Sequence, residues 1–101
     1  MAEQTVIRNG LTDEQRSLIR QIAAQHGALR VRVFGSIARG EDGPQSDIDL
    51  LVDKGSVTTP WFPAGLILEL EDALGRNVDV VTEKGLSPYL RERILHEAIS
   101  L

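Results

Sequence analysis

The sequence predicts a small α/β layered domain in which helices and strands alternate. Three observations carry that expectation. Apolar residues recur at helical spacing in several segments, short apolar runs of strand length lie between them, and Gly, Pro, Asp and Ser punctuate the joins. At 101 residues the chain is expected to be one domain, residues 1–101, with a single modest core.

Residues 1–10 show no clear period and read as a loose lead-in, in which Val6 and Ile7 could form a short extended piece. Thr12-Asp13-Glu14-Gln15 is a capping box, with Thr12 as N-cap and Gln15 three residues on. Leu18, Ile19, Ile22 and Ala23 then keep helical spacing and Gly27 ends the run, predicting a helix over roughly 13–26. Residues 29–34 read as a strand through Val31, Val33 and Phe34, with Arg30 and Arg32 on a solvated or partner-facing side. A short helix is expected to leave this strand over 36–39, followed by turn chemistry at 41–46.

Residues 47–52 form the second predicted strand, with Ile48, Leu50 and Val52 facing one way and Asp47 and Asp49 the other. After a loop at 54–59, a helix is expected from about Pro60 or Trp61 to Leu74, with Thr59 as cap and Pro60 near the first turn. Its buried stripe is Leu66, Ile67, Leu70, Ala73 and Leu74, Leu68 falls off it, and Gly75 is its stop. Trp61 and Phe62 are expected to pack that helix onto the sheet, with stacking on an adenine or contact with a partner as the alternative. Residues 77–81 make a third strand, with Val78 and Val80 opposed to Asp79. Ser87-Pro88 opens a last helix with Leu90, Ile94, Leu95 and Ala98 on its apolar face. No internal repeat or linker interrupts the α-β-α-β-α-β-α order.

The bulk numbers narrow the function. There is no cysteine, which removes disulfides, thiolate metal sites and cysteine nucleophiles. No apolar run approaches the roughly 20 residues needed to span a bilayer, and the polar start lacks the apolar stretch of a signal peptide, so the protein reads as cytoplasmic and without a membrane partner. The net charge is -4 and the pI about 5.1, with basic residues spread out, which argues against long nucleic acid as substrate. A small nucleotide carrying its own magnesium is compatible with that balance.

The chemistry concentrates in Gly35-Ser36 and, after ten intervening residues, Asp47-Ile48-Asp49. Glycine lets a ligand approach the backbone, and Ser36 with the amides opening the short helix can meet phosphate oxygens. Arg39 lies within reach of that site and could either pair with a phosphate or stand as a solvated surface arginine. It is not a P-loop, because the Gly-Lys-Ser/Thr ending is missing. Asp is a poor strand residue, so Asp47, Asp49 and Asp79 in two apolar strands need a reason. One such Asp would fit a solvated sheet face; three beside a Gly-Ser turn favour a site. If the two strands are neighbours the carboxylates converge, and oxygen ligands of this kind suit magnesium. Two ions about 3.5–4 Å apart would serve phosphoryl or nucleotidyl transfer. His26 and His96 have no ligand partner at helical spacing and are assigned no role. Arg91 and Arg93 read as a solvated helix face.

These residues resemble the DNA polymerase β-like nucleotidyltransferase superfamily. The fuller strings Phe34-Gly35-Ser36-Ile37-Ala38-Arg39-Gly40 and Ser46-Asp47-Ile48-Asp49-Leu50 are similar to its small stand-alone branch, the minimal nucleotidyltransferases (MNT). So are the segments around Val78-Asp79-Val80 and Ser87-Pro88-Tyr89-Leu90. The resemblance implies a minimal nucleotidyltransferase fold, a mixed three-stranded sheet flanked by helices. It implies that Gly35 and Ser36 hold a nucleoside triphosphate, that Asp47 and Asp49 bind magnesium, and that Asp79 is a third ligand or the base for the attacking hydroxyl. It further implies an antitoxin that moves AMP from ATP to a tyrosine of a HEPN-domain toxin, with a hetero-oligomer as its assembly. The lack of a second, acceptor-binding domain favours an acceptor supplied by a partner protein. Two other readings follow from the same residues: a binding module that neutralises its partner by complex formation, and an adenylyltransferase acting on a small molecule.

Overall fold

The computed structural model describes residues 7–8, 11–41 and 46–101. Residues 42–45 of the predicted turn and most of the lead-in at 1–10 lie outside the described residues. A two-residue strand β1 (Ile7–Arg8) pairs antiparallel with β2 (Leu11–Thr12), which runs straight into helix α1 (Asp13–Gln25). There follow β3 (Ala28–Phe34), the one-turn helix α2 (Ser36–Arg39), β4 (Ile48–Lys54), α3 (Ala64–Leu74), β5 (Val78–Thr82), a 3-10 turn at Glu83–Gly85, α4 (Pro88–Glu97) and β6 (Ile99–Ser100).

The main sheet is mixed, as the resemblance implied, with strand order β5-β4-β3-β6. β4 and β5 run parallel; β3 pairs antiparallel with β4 on one side and β6 on the other. The sheet has four strands where the resemblance implied three. β6 is two residues long, too short to show a period-two pattern, and it is set by pairing Val33 with Ile99 and Arg32 with Ser100. The expected α/β layering is otherwise present.

Alternation along the strands decides the two faces. Val31 and Val33, Ile48, Leu50 and Val52, and Val78 and Val80 pack with Ile19, Ile22 and Ala23 of α1 and Leu66 and Leu70 of α3. Each fully buried Leu or Ile there contributes about 1.5–3 kcal/mol. The opposite face carries Asp49 and Asp79. Leu51 on that face and Ile94 of α4 are buried outside the main cluster. α4 is tied down at both ends: Arg91 donates to Glu83 Oε2 at 2.8 Å near its start, and Glu97 accepts from Gly35 at its end.

Two of the three expected N-caps are present, Thr12 and Ser87; Thr59 is not the cap of α3, which follows Pro63 with no side-chain cap. Thr12 accepts from the Gln15 amide while Gln15 Oε1 accepts from the Thr12 amide, both at 3.0 Å. Ser87 accepts from the Tyr89 amide with Pro88 opening α4. Thr12→Ala is therefore expected to cost about 1 kcal/mol, read as a melting temperature lower by roughly 4–8 °C; an unchanged melting temperature would show that the box contributes nothing.

Four expectations need correction. α3 starts at Ala64 rather than near Pro60. Trp61 has φ +66, which no helix residue adopts, and Pro63 disfavours helical geometry at Phe62. Trp61 consequently stands 85 % exposed, while Phe62 does pack against the core as expected. Alternation puts Arg32 with Arg30 on a solvated or partner-facing side, yet Arg32 is only 8 % exposed and covered within the chain, beside Asp53 and Glu83 at 3.5 and 3.4 Å. The third strand and the 3-10 turn after it bring Glu83 to Arg32, a contact between distant segments. Ala73 and Leu90 are exposed rather than buried, because α3 and α4 each press a narrower stripe inward than helical spacing allows. Leu68 is exposed, as its position off the stripe predicts.

Candidate active site

The site forms where β3 ends and β4 and β5 begin. The parallel register of β4 and β5 sets Asp49 directly opposite Asp79. Partners in register share a face, one strand spacing of about 4.8 Å apart. Asp47 precedes Asp49 by two residues, just ahead of β4. Convergence of the carboxylates requires β4 and β5 to be neighbours; they are, and this brings Asp49 and Asp79 side by side. β5 is an edge strand, so Asp79 is exposed at the rim of the sheet, whereas Asp49 is partly buried one strand further in.

On the other side, Phe34 pairs with Asp49. The chain then leaves β3 through Gly35 at φ +76 and ψ −150, a conformation essentially confined to glycine. A Cβ on residue 35 would overlap the Asp49 carboxylate. Glycine is needed here twice over: for the backbone angle and for the close approach of Asp49. Ser36 opens α2, whose single turn closes by Arg39 N–H donating to the Gly35 carbonyl at 3.1 Å. Gly35, Ser36 and Asp49 are thus parts of one turn-and-strand unit.

The electrostatics reflect this crowding. Burial, then the charges of Asp79 and Asp47, push the Asp49 carboxyl above the usual aspartate range, against a smaller opposing effect of Arg39. Negative charge packed in this way would be relieved by a cation. All three donors are carboxylate oxygens, the chemistry of a magnesium site. Among the described residues no three His, Cys, Asp or Glu side chains stand close enough to hold a metal ion. The expected three-carboxylate cluster is thus not preassembled in this structure; Asp49 and Asp79 are brought together by register, with Asp47 just ahead of them.

Arg39 lies at the end of α2. Its Nε donates to Glu41 at 3.0 Å, and its Nη1 donates to both oxygens of Glu97 at 3.2 Å. Glu97 also accepts from the Gly35 amide at 2.7 Å. Glu97 is a site neighbour that sequence reasoning does not single out. A signal is present: an acid at the last position of a helix opposes the helix dipole and asks for a compensating partner. His26, given no role, links Thr59 Oγ1 at 2.7 Å to Glu69 at 2.8 Å, a structural tie between α1 and α3. A separate groove of about 730 Å³, lined among others by Lys54, Thr82, Lys84 and Arg91, lies at the far ends of β4 and β5 and includes none of these site residues.

A glycine turn beside opposed aspartates can cradle phosphates and gather divalent cations at one point of a sheet. Comparison with known proteins gives the family. The family described as nucleotidyltransferase domain matches residues 16–101. A protein of Methanocaldococcus jannaschii, provisionally named protein adenylyltransferase MJ0435, is 42% identical over 80 residues, covering 79% of this chain and 86% of its own. A solved structure, provisionally described as a minimal nucleotidyltransferase, superposes with TM-score 0.76 at 51% identity, covering 87% of this chain and 90% of that one. A toxin–antitoxin crystal structure with AMP-PNP shares the fold at TM-score 0.72 and 22% identity, over 84% of this chain and 70% of the other.

Proposed function

The chain belongs to the nucleotidyltransferase domain family, and on that premise we propose that it moves AMP from ATP onto a hydroxyl of a partner protein. The observation that carries this is the register pair Asp49–Asp79, set against the Gly35 turn. Gly35, Ser36 and Arg39 are proposed to hold the triphosphate, and Asp47, Asp49 and Asp79 to hold magnesium. Magnesium at that place supplies Lewis-acid neutralisation of the charge on the reacting phosphates. The acceptor oxygen bonds to the α-phosphorus, the bond to the bridging oxygen breaks and pyrophosphate leaves. The hydroxyl proton passes to a carboxylate, in our reading Asp79; its exposure on the edge strand, where a second protein can reach it, supports that role.

A protein acceptor is supported by the naming of the M. jannaschii relative. A toxin partner and an adenine nucleotide are supported by the toxin–antitoxin assembly that shares the fold. The proposal therefore extends to an antitoxin role, with a tyrosine of a HEPN-type toxin as acceptor. The test is incubation with α-labelled ATP, magnesium and the protein encoded beside this one. Label is expected on the partner. Equal labelling by the Asp47→Ala, Asp49→Ala double variant, or none by wild type, would sink the reading. No helix among the described residues is long and apolar enough to cross a membrane.

A further inference from the structure

Glu97 is a carboxylate near the site that the proposed reaction does not use, and unlike Glu41 it also holds the Gly35 amide. It is the last residue of α4, where a negative charge opposes the helix dipole. Its side chain is only 18% exposed. Three hydrogen bonds offset that placement, one from the Gly35 amide and two from Arg39. The position follows from the sheet. β3 and β6 pair Arg32 with Ser100 and Val33 with Ile99. Two further steps of the same register bring Gly35 opposite Glu97. At that step the chain has already become helix α4, so no main-chain carbonyl closes the ladder. The Glu97 side chain closes it instead, on the β6 side of Gly35, while Asp49 of β4 lies against Gly35 from the other side. Gly35 is thus held between two carboxylates on neighbouring elements.

Resting on the nucleotidyltransferase reading above, we propose that Glu97 is a positioning residue for the nucleotide: it fixes the Gly35–Ser36 turn and aims Arg39 at the phosphates. The carboxylate holds the turn through the Gly35 amide and orients the guanidinium through a two-oxygen contact on one nitrogen. Arg39 keeps its Nη2 and part of its remaining donor capacity for a phosphate, since its bonds to Glu41 and Glu97 run through Nε and Nη1 alone. A flexible arginine would pay for its own ordering on each binding event; one already aligned does not.

The test pairs nucleotide binding with a readout independent of nucleotide. Glu97→Ala, Glu97→Gln, Arg39→Ala and the Glu97→Ala, Arg39→Ala double variant are titrated with a non-hydrolysable ATP analogue and magnesium. Exchange of the Gly35 amide proton is followed by NMR without nucleotide. Glu97→Ala is expected to weaken analogue binding about tenfold and to speed Gly35 exchange. Glu97→Gln, which keeps an acceptor and loses the charge, falls between it and wild type. In turnover the loss appears in KM more than in kcat, and the double variant is no weaker than the worse single one. Faster Gly35 exchange with unchanged affinity would overturn the positioning role and leave the nucleotidyltransferase reading standing. Tighter binding would also overturn it, because Glu97 would then be competing with the phosphates. No binding of the analogue by wild type would overturn both.

Discussion

Asp49→Asn is expected to reduce nucleotidyl transfer by at least about 10³-fold while making the nucleotide-free protein more stable. The two effects have one origin. Asp49 lies partly buried against the Gly35 turn, opposite Asp79 and two residues from Asp47. Its carboxyl is pushed above the usual aspartate range first by burial, then by those two charges. A folded-state value above the unfolded one means that the ionised group weakens the fold. Asparagine has nearly the same shape and no charge. At neutral pH the variant should therefore melt higher, by roughly 2–5 °C; water screens the gain because Asp49 is incompletely buried.

The sign also fixes the pH dependence. The stability associated with protonated Asp49 is fully present below the unfolded aspartate value and is lost as pH rises through the raised folded one. The difference in melting temperature between variant and wild type should accordingly close as pH falls through that window. The converse holds with ligand: magnesium and an ATP analogue should raise the wild-type melting temperature and barely move that of the variant. Thermal scans across pH, with and without ligand, check all three statements. A variant that melts lower at neutral pH would overturn the charge-strain reading of Asp49, and one that keeps transferring AMP would overturn its part in the reaction.

Much of this site is legible in the sequence because it depends on local rules. A Gly-Ser turn leaving an apolar strand, and two aspartates one residue apart on the next, are fixed by spacing alone. Asp79 is legible as an ill-suited strand residue, but its pairing with Asp49 depends on which strands are neighbours. Glu97 is further from view. Its contact with Gly35 spans 62 residues of sequence and rests on a two-residue strand with no pattern of its own. The start of α3 is obscured for a different reason. Two prolines lie within four residues, and both Pro60 and Pro63 suit the approach to a helix. The positive φ of Trp61 decides in favour of the second. Arg32 escapes because alternation assigns a face and cannot say whether that face is covered.

Gly35→Ala is expected to damage stability and activity together, and a second glycine separates the causes. Gly75, at the end of α3, has φ +67 and ψ 26, and a methyl group added there would meet nothing within 4 Å. Gly75→Ala should cost about 1 kcal/mol, the penalty of an L-residue in the left-handed region, and leave transfer intact. Gly35 differs in two respects. Its φ +76 and ψ −150 fall where only glycine is comfortable, at a cost of order 1–3 kcal/mol. Its added methyl would also overlap the Asp49 carboxylate, so either that side chain must swing out of the site or the turn must open. The first displaces a proposed site carboxylate; the second breaks the Gly35 amide bond to Glu97. Gly35→Ala is therefore expected to lower the melting temperature by more than Gly75→Ala and to lose nucleotide binding altogether. If the two alanine variants melt alike and both bind nucleotide, the contact between Gly35 and Asp49 has no part in building the site. If Gly35→Ala alone loses binding, and Asp49→Gly in the same chain restores the fold but not the transfer, steric overlap at this one point is what couples the phosphate turn to the carboxylates.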